Sequence, residues 1–95
     1  MSKFETAAAK MKESASSGIK MSDDEMLQVY SLYKQGTVGD CNIDEPGMLD
    51  FKGKAKWEAW NKLKGKAKDE AQNEYVNLSK GLLAKYGLND LANAI

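Results

Sequence analysis

The chain has 95 residues, its 14 basic residues are all lysine, and they are balanced by 14 acids. That length makes one small domain with a modest core, which suits a binding module better than an elaborate active site. Histidine is absent as well as arginine, so imidazole general-base chemistry and histidine metal ligation are excluded.

Helical periodicity recurs four times, whereas the alternating β-branched pattern of strands is missing. The predicted fold class is therefore all-α, a small four-helix bundle. The first helix is predicted from about Ser2 to Ser14, with Phe4, Ala7, Ala8 and Met11 on one stripe, and Ser16-Ser17-Gly18 breaks it. Ser22-Asp23-Asp24-Glu25 reads as a capping box whose acids suit the positive helix end, and a second helix should run from there to about Gly36. The polar stretch from Gly39 to Gly47, holding the single proline Pro46, is too long for a tight turn and reads as an ordered connection.

The third helix is predicted from about Phe51 to Lys64, with Gly65 as a left-handed stop. The fourth runs from about Lys68 to Tyr86, with Ala71, Tyr75, Leu78 and Leu82 on one face and Gly87 as its stop. Leu88, Leu91, Ala92 and Ile95 repeat at helical spacing beyond it. Residues 1–87 are accordingly read as one domain and 88–95 as a short extension with helical potential that packs back in part.

The residues with chemical potential cluster on the second and third helices. Tyr30, Tyr33 and Lys34 are three and four apart and project from one face, which Met26 and Leu27 extend towards the N-terminus. That stripe passes from hydrocarbon to phenol to ammonium, although core packing is the ordinary use of such tyrosines. From Lys52 to Lys68 there are seven lysines against a single glutamate, Glu58. Most members of such a run are solvated, but Lys52 and Lys56 stand one helical turn apart and are placed to act jointly on an anion. Trp57 and Trp60 cannot both face inward; Trp60 is assigned to the core and Trp57 to the edge of an apolar site. Tyr75 sits in the apolar stripe of the fourth helix, where core packing and ligand contact are both open. No paired carboxylates, activated nucleophile or metal-ligand cluster can be assembled, so no catalytic or metal-binding residue is predicted.

The runs Tyr30-Ser31-Leu32-Tyr33-Lys34-Gln35-Gly36-Thr37-Val38-Gly39-Asp40, Pro46-Gly47-Met48-Leu49-Asp50-Phe51 and Lys52-Gly53-Lys54-Ala55-Lys56-Trp57-Glu58-Ala59-Trp60-Asn61 resemble the acyl-CoA-binding protein family. The resemblance continues to Tyr86. It implies a non-catalytic carrier of medium- and long-chain fatty acyl-CoA esters, one ligand per domain, with no cofactor. It also implies ligand contacts at Tyr30, Tyr33, Lys34 and Tyr75, a basic residue near the nucleotide at Lys12, and pairing of Lys56 with the ribose 3′-phosphate. The acyl chain is expected between the second and third helices. Lys20 is a weaker candidate, because residues around Ala15 to Gly18 are inserted relative to the family. Gly36 stands where alanine is common, a change that favours a looser helix end; Met21 stands where proline is usual, and Gly81 interrupts the fourth helix.

The remaining expectations concern setting and partners. Cys41 is the only cysteine and cannot form an internal disulfide, which fits a reducing, cytoplasmic location. Met1-Ser2-Lys3-Phe4-Glu5 has no apolar run of signal-peptide length, and no segment approaches the roughly 18 apolar residues of a membrane span. A monomer is expected, without stable membrane insertion, that meets acyl-CoA-using enzymes transiently. Two competing readings use the same residues: a nucleic-acid module on the lysine run, disfavoured by the lack of arginine and a pI near 6.2, and a bundle whose groove receives a partner helix.

Overall fold

A computed structural model describes residues 2–95 and is helical throughout its regular structure, with no strand among those residues. Met1, the first residue of the expected domain, lies outside them. The elements are α1 (Lys3–Ser14), a 3₁₀ turn (Ala15–Ser17), α2 (Asp23–Thr37), α3 (Phe51–Asn61), α4 (Lys68–Lys85) and α5 (Asn89–Asn93).

Local chemistry explains most of the boundaries. Ser22 caps α2: its side chain accepts from the Glu25 N–H at 3.2 Å, while the Glu25 carboxylate accepts from the Ser22 N–H at 2.9 Å. Ser2 and Glu5 build the same reciprocal cap on α1. Gly18, Gly65 and Gly87 adopt φ values of 82°, 93° and 79°, the left-handed region that other residues enter only at a cost. α3 ends at Asn61, short of the expected Lys64, because Leu63 and Lys64 donate to carbonyls three residues back and tighten the chain into turns ahead of Gly65.

Burial comes from α4. Tyr75, Val76, Leu82 and Leu83 pack with Phe4, Ala7 and Met11 of α1 and with Ala92 of α5. Leu88, Leu91 and Ile95 lie against this core, so the tail beyond Gly87 is folded back on α4 and α1. Helical spacing had indicated that stripe, and the apolar surface of α4 gives it a partner.

The bundle is open on one side. α1 and α2 both pack on α4, yet among the described residues no Cα of one lies within 8 Å of a Cα of the other. α3 approaches α2 alone among the helices. It is therefore an arm hung on the outer side of α2, and polar bonds hold it there. The indole N–H of Trp60, a residue 2 % exposed, donates to the Gly39 carbonyl at 2.8 Å. The buried Gln35 donates to Asp40 Oδ1 at 2.9 Å and to the Lys66 carbonyl at 2.8 Å, and the same Asp40 oxygen accepts from the Gly65 N–H at 2.8 Å. These bonds join the end of α2, the 39–47 connection and the α3–α4 turn, and they hold the Asp40 carboxyl below its ordinary pKa, the Gly65 N–H contributing most.

Gly36 does not loosen α2. It is buried, and a Cβ there would stand 3.1 Å from Gln72 Cγ and 3.3 Å from Phe4 Cζ, so glycine makes room for α4 and for the ring that Phe4 extends from α1. Gln72 uses that approach to donate to the Gly36 carbonyl at 2.8 Å. At the other end of α2, Glu25 accepts from Lys85 Nζ at 2.6 Å and from the Tyr86 hydroxyl. Lys85 first, then Tyr86 and the Ser22 N–H, draw its pKa from 4.5 to about 2.

Candidate ligand-binding groove

The gap between α1 and α2 forms a cavity of about 600 Å³, lined by Ala8, Ala9, Met11, Lys12, Met21, Met26, Val29, Tyr30, Tyr33, Lys56 and Tyr75. Its floor is aromatic. The Phe4 ring stacks on Tyr33 with centroids 5.7 Å apart and meets Tyr75 edge-on at 5.2 Å, and Tyr33 and Tyr75 are 5.8 Å apart. Such pairs stabilise beyond their buried area. They also fix Tyr33, which keeps 41 % of its surface exposed. Tyr75 is nearly buried, and burial pushes its phenol up to about 12, so it stays neutral at the base of the cavity.

The mouth is cationic. Lys34, one turn beyond Tyr30 on α2, places Nζ 5.9 Å from the Tyr30 ring centroid, and Lys56 reaches the same ring from α3 at 5.4 Å. Lys34 also lies 5.8 Å from the Trp60 ring. Aromatic faces attract ammonium groups, so cations from two different helices both approach the Tyr30 ring. Neither enters an ion pair among the described residues. Two unpaired ammonium groups on one ring raise the local positive potential that attracts an anion. Lys12 adds a third ammonium from the α1 wall.

Lys12, Met26, Tyr30, Tyr33, Lys56 and Tyr75 thus share one cavity, and Lys34 stands outside its lining, beside Tyr30 and Trp60. Leu27 is half-buried on α2 and Lys52 is exposed on α3, and neither borders the cavity. Trp57 stands outside the lining as well; its indole N–H donates to the Ile43 carbonyl at 2.9 Å and ties α3 to the preceding connection. Of the α3 residues only Lys56 reaches the cavity, whose apolar wall lies at the α1–α2 gap. Ala9, Met21 and Val29 were missed as wall residues. Val29 was within reach, being three residues after Met26 and four before Tyr33 on the same helical face.

Among the described residues no cluster of histidine, cysteine and acidic side chains is arranged to hold a metal ion, and no helix is long and apolar enough to cross a membrane. An apolar cavity with a lysine-lined mouth instead matches a ligand that is hydrocarbon at one end and anionic at the other.

Comparison with known proteins points the same way. A family model described as "Acyl CoA binding protein" matches residues 1–79. The chain is 54% identical over 83 residues to an acyl-CoA-binding protein homolog of Drosophila melanogaster, covering 87% of this chain and 93% of that protein. It is 56% identical over 84 residues to acyl-CoA-binding protein homolog 1 of Caenorhabditis elegans, covering 88% and 94%. The crystal structure of Oryza sativa acyl-CoA-binding protein 2 superposes with a TM-score of 0.80 at 36% identity, covering 90% of this chain and 89% of that one.

Proposed function

The chain belongs to the acyl-CoA-binding protein family, and on that premise we propose that it binds medium- and long-chain fatty acyl-CoA esters without changing them, one per domain. The observation that carries this reading is that the Lys34 and Lys56 ammonium groups stand 5.9 and 5.4 Å from the ring of Tyr30, a residue that lines an apolar cavity. Lys56 takes the ribose 3′-phosphate and Lys34 another phosphate of the head, with Lys12 alongside. Tyr33 offers its exposed face to the adenine, and Tyr75 closes the floor. Lys52, one turn before Lys56, adds to the field without a direct contact. The acyl chain runs along Ala9, Met21, Met26 and Val29, with Leu27 and Trp57 outside that path.

Magnitudes support the scheme. A charge-assisted hydrogen bond to phosphate contributes about 1.5–3 kcal/mol and each buried methylene about 0.8 kcal/mol. Two or three such bonds and ten or so methylenes reach about 11–17 kcal/mol, and with adenine stacking they exceed the roughly 12 kcal/mol of a nanomolar complex before ordering costs are subtracted. The polar head orients the ligand and chain length grades affinity. Buffering and delivery of the ester to acyl-CoA-using enzymes, by a cytoplasmic monomer, completes the reading; the lone Cys41 supports the reducing setting.

Isothermal titration of delipidated protein with palmitoyl-CoA, free CoA and palmitate tests it. Submicromolar, one-to-one binding of the ester with much weaker binding of either half is the expected result. Equally weak binding of all three would overturn the proposal.

A further inference from the structure

We propose that α5 is a positioning element of the ligand site: by bracing α1 it sets where Lys12 stands, and so how well that ammonium meets the anionic head of the ligand. The helix lies beyond residue 79, where the family match ends, so that match assigns it no role.

α1 is the cavity wall with the fewest supports. It brings Ala8, Ala9, Met11 and Lys12 to the lining. Apart from the 3₁₀ turn that continues it, the only elements whose Cα atoms come within 8 Å of its own, among the described residues, are α4 and α5. Across the gap, the Phe4 ring ties its first turn to Tyr33. Lys12 stands eight residues further on, about 12 Å along the helix, exposed and in no ion pair among the described residues. Its position therefore depends on what packs behind the second half of α1.

That support comes from the end of α4. Phe4 lies beside Gln72 and Tyr75 in the first half of α4, and Met11 packs in the core shared with Leu82, Leu83 and Ala92. The second half of α1 thus belongs with the end of α4 from which α5 springs. The Gly87 N–H donates to the Ala84 carbonyl at 3.1 Å and the Leu88 N–H to the Leu83 carbonyl at 2.8 Å, with Gly87 at φ 79°. This pair of bonds ends α4 and reverses the chain, which lays α5 back on α4 and α1. Ala92 is buried there, and Leu91 and Ile95 pack against the same core. A cation held in place before the ligand arrives loses less freedom on binding than one that must be ordered by it. This role for α5 rests on the acyl-CoA reading.

The test is a double-mutant cycle in the full chain. Palmitoyl-CoA is titrated into wild type, the α5 variant Leu91→Ser with Ile95→Ser, Lys12→Ala, and the combination of all three changes, with thermal melts to confirm that each is folded at the titration temperature. Leu91→Ala replaces the α5 pair if the pair unfolds the protein. The α5 variant should weaken binding roughly three- to tenfold, and the same changes should have almost no effect once Lys12 is alanine. Amide exchange should accelerate in the second half of α1 while the centre of α4 keeps wild-type protection. Wild-type affinity in the α5 variant would overturn the proposal. So would an equal loss in both backgrounds, which would give α5 a part in overall stability alone, or unchanged exchange in α1. If wild type bound palmitoyl-CoA no more tightly than free CoA, the acyl-CoA reading would fall and the proposal with it; tight wild-type binding with equal losses in both backgrounds would sink the proposal by itself.

Discussion

The α4-centred frame and the α3 arm are held by different physics. α4, α1 and α5 share an apolar core in which Leu83 and Ala7 are wholly buried, and its stability comes from excluded water and close packing. α3 contributes Trp60 as its single buried side chain and is fastened to α2 and the connection by hydrogen bonds of Trp60, Gln35 and Asp40. The cavity draws its floor from the frame, through Tyr75, and one of its cations from the arm, through Lys56. A site divided this way can adjust the cation on the arm without repacking the core, because the elements that move most readily are those with the fewest buried apolar contacts.

The sharpest way to break the comparison is Leu83→Ala, which empties fully buried volume in the frame. It should cost about 2–5 kcal/mol of global stability, read as a lower denaturant midpoint. Next comes the arm's contribution to binding. Lys56→Ala and Lys34→Ala should each weaken palmitoyl-CoA binding by about 1.5–3 kcal/mol while leaving the unfolding midpoint near that of wild type; unchanged affinity in both would separate the two cations from the phosphates.

Gln35→Ala removes the donors that tie Asp40 and the Lys66 carbonyl together. It should cost about 1–3 kcal/mol, and amide exchange should accelerate in α3 and at Gly65 before it does in α4. Uniform acceleration would mean that the arm and the frame open as one unit. Gly81→Ala should raise stability by about 1 kcal/mol, since Gly81 is exposed within α4 and a Cβ there meets nothing within 4 Å.

The last effect is confined to acid. The Glu25 pKa is depressed in the folded protein, so its contribution is complete above the ordinary carboxyl value of 4.5 and is lost as pH falls towards about 2. Thermal melts of Glu25→Gln across that window should show a shallower acid decline than wild type. An identical slope would place acid sensitivity in other carboxylates, such as Asp40.

Much of this was legible along the chain because its causes are local. The Ser22 and Glu25 cap, the stops at Gly65 and Gly87, and the shared face of Met26, Tyr30 and Tyr33 all follow from spacings of three and four residues or from glycine's backbone freedom. The α5 stripe at Leu88, Leu91 and Ala92 was visible for the same reason. Other features depend on partners far along the chain. Gln35 carried no mark of burial, since its partners include a carbonyl 31 residues away. Gly36 looked like a weakness until Phe4 and Gln72 were seen to fill the space a Cβ would need.

The sequence by itself determined the helices, the all-α class, the absence of imidazole chemistry and the shared face of Met26, Tyr30 and Tyr33, because periodicity, capping and composition act within a few residues of one another. Tertiary structure alone decided that α1 and α2 stand apart, that the apolar wall lies between them, that Leu27 and Trp57 are not part of it, and that Lys34 and Lys56 both approach one tyrosine ring. Those outcomes depend on how α4 spaces the helices it packs and how polar bonds suspend α3, and both join residues distant in the chain.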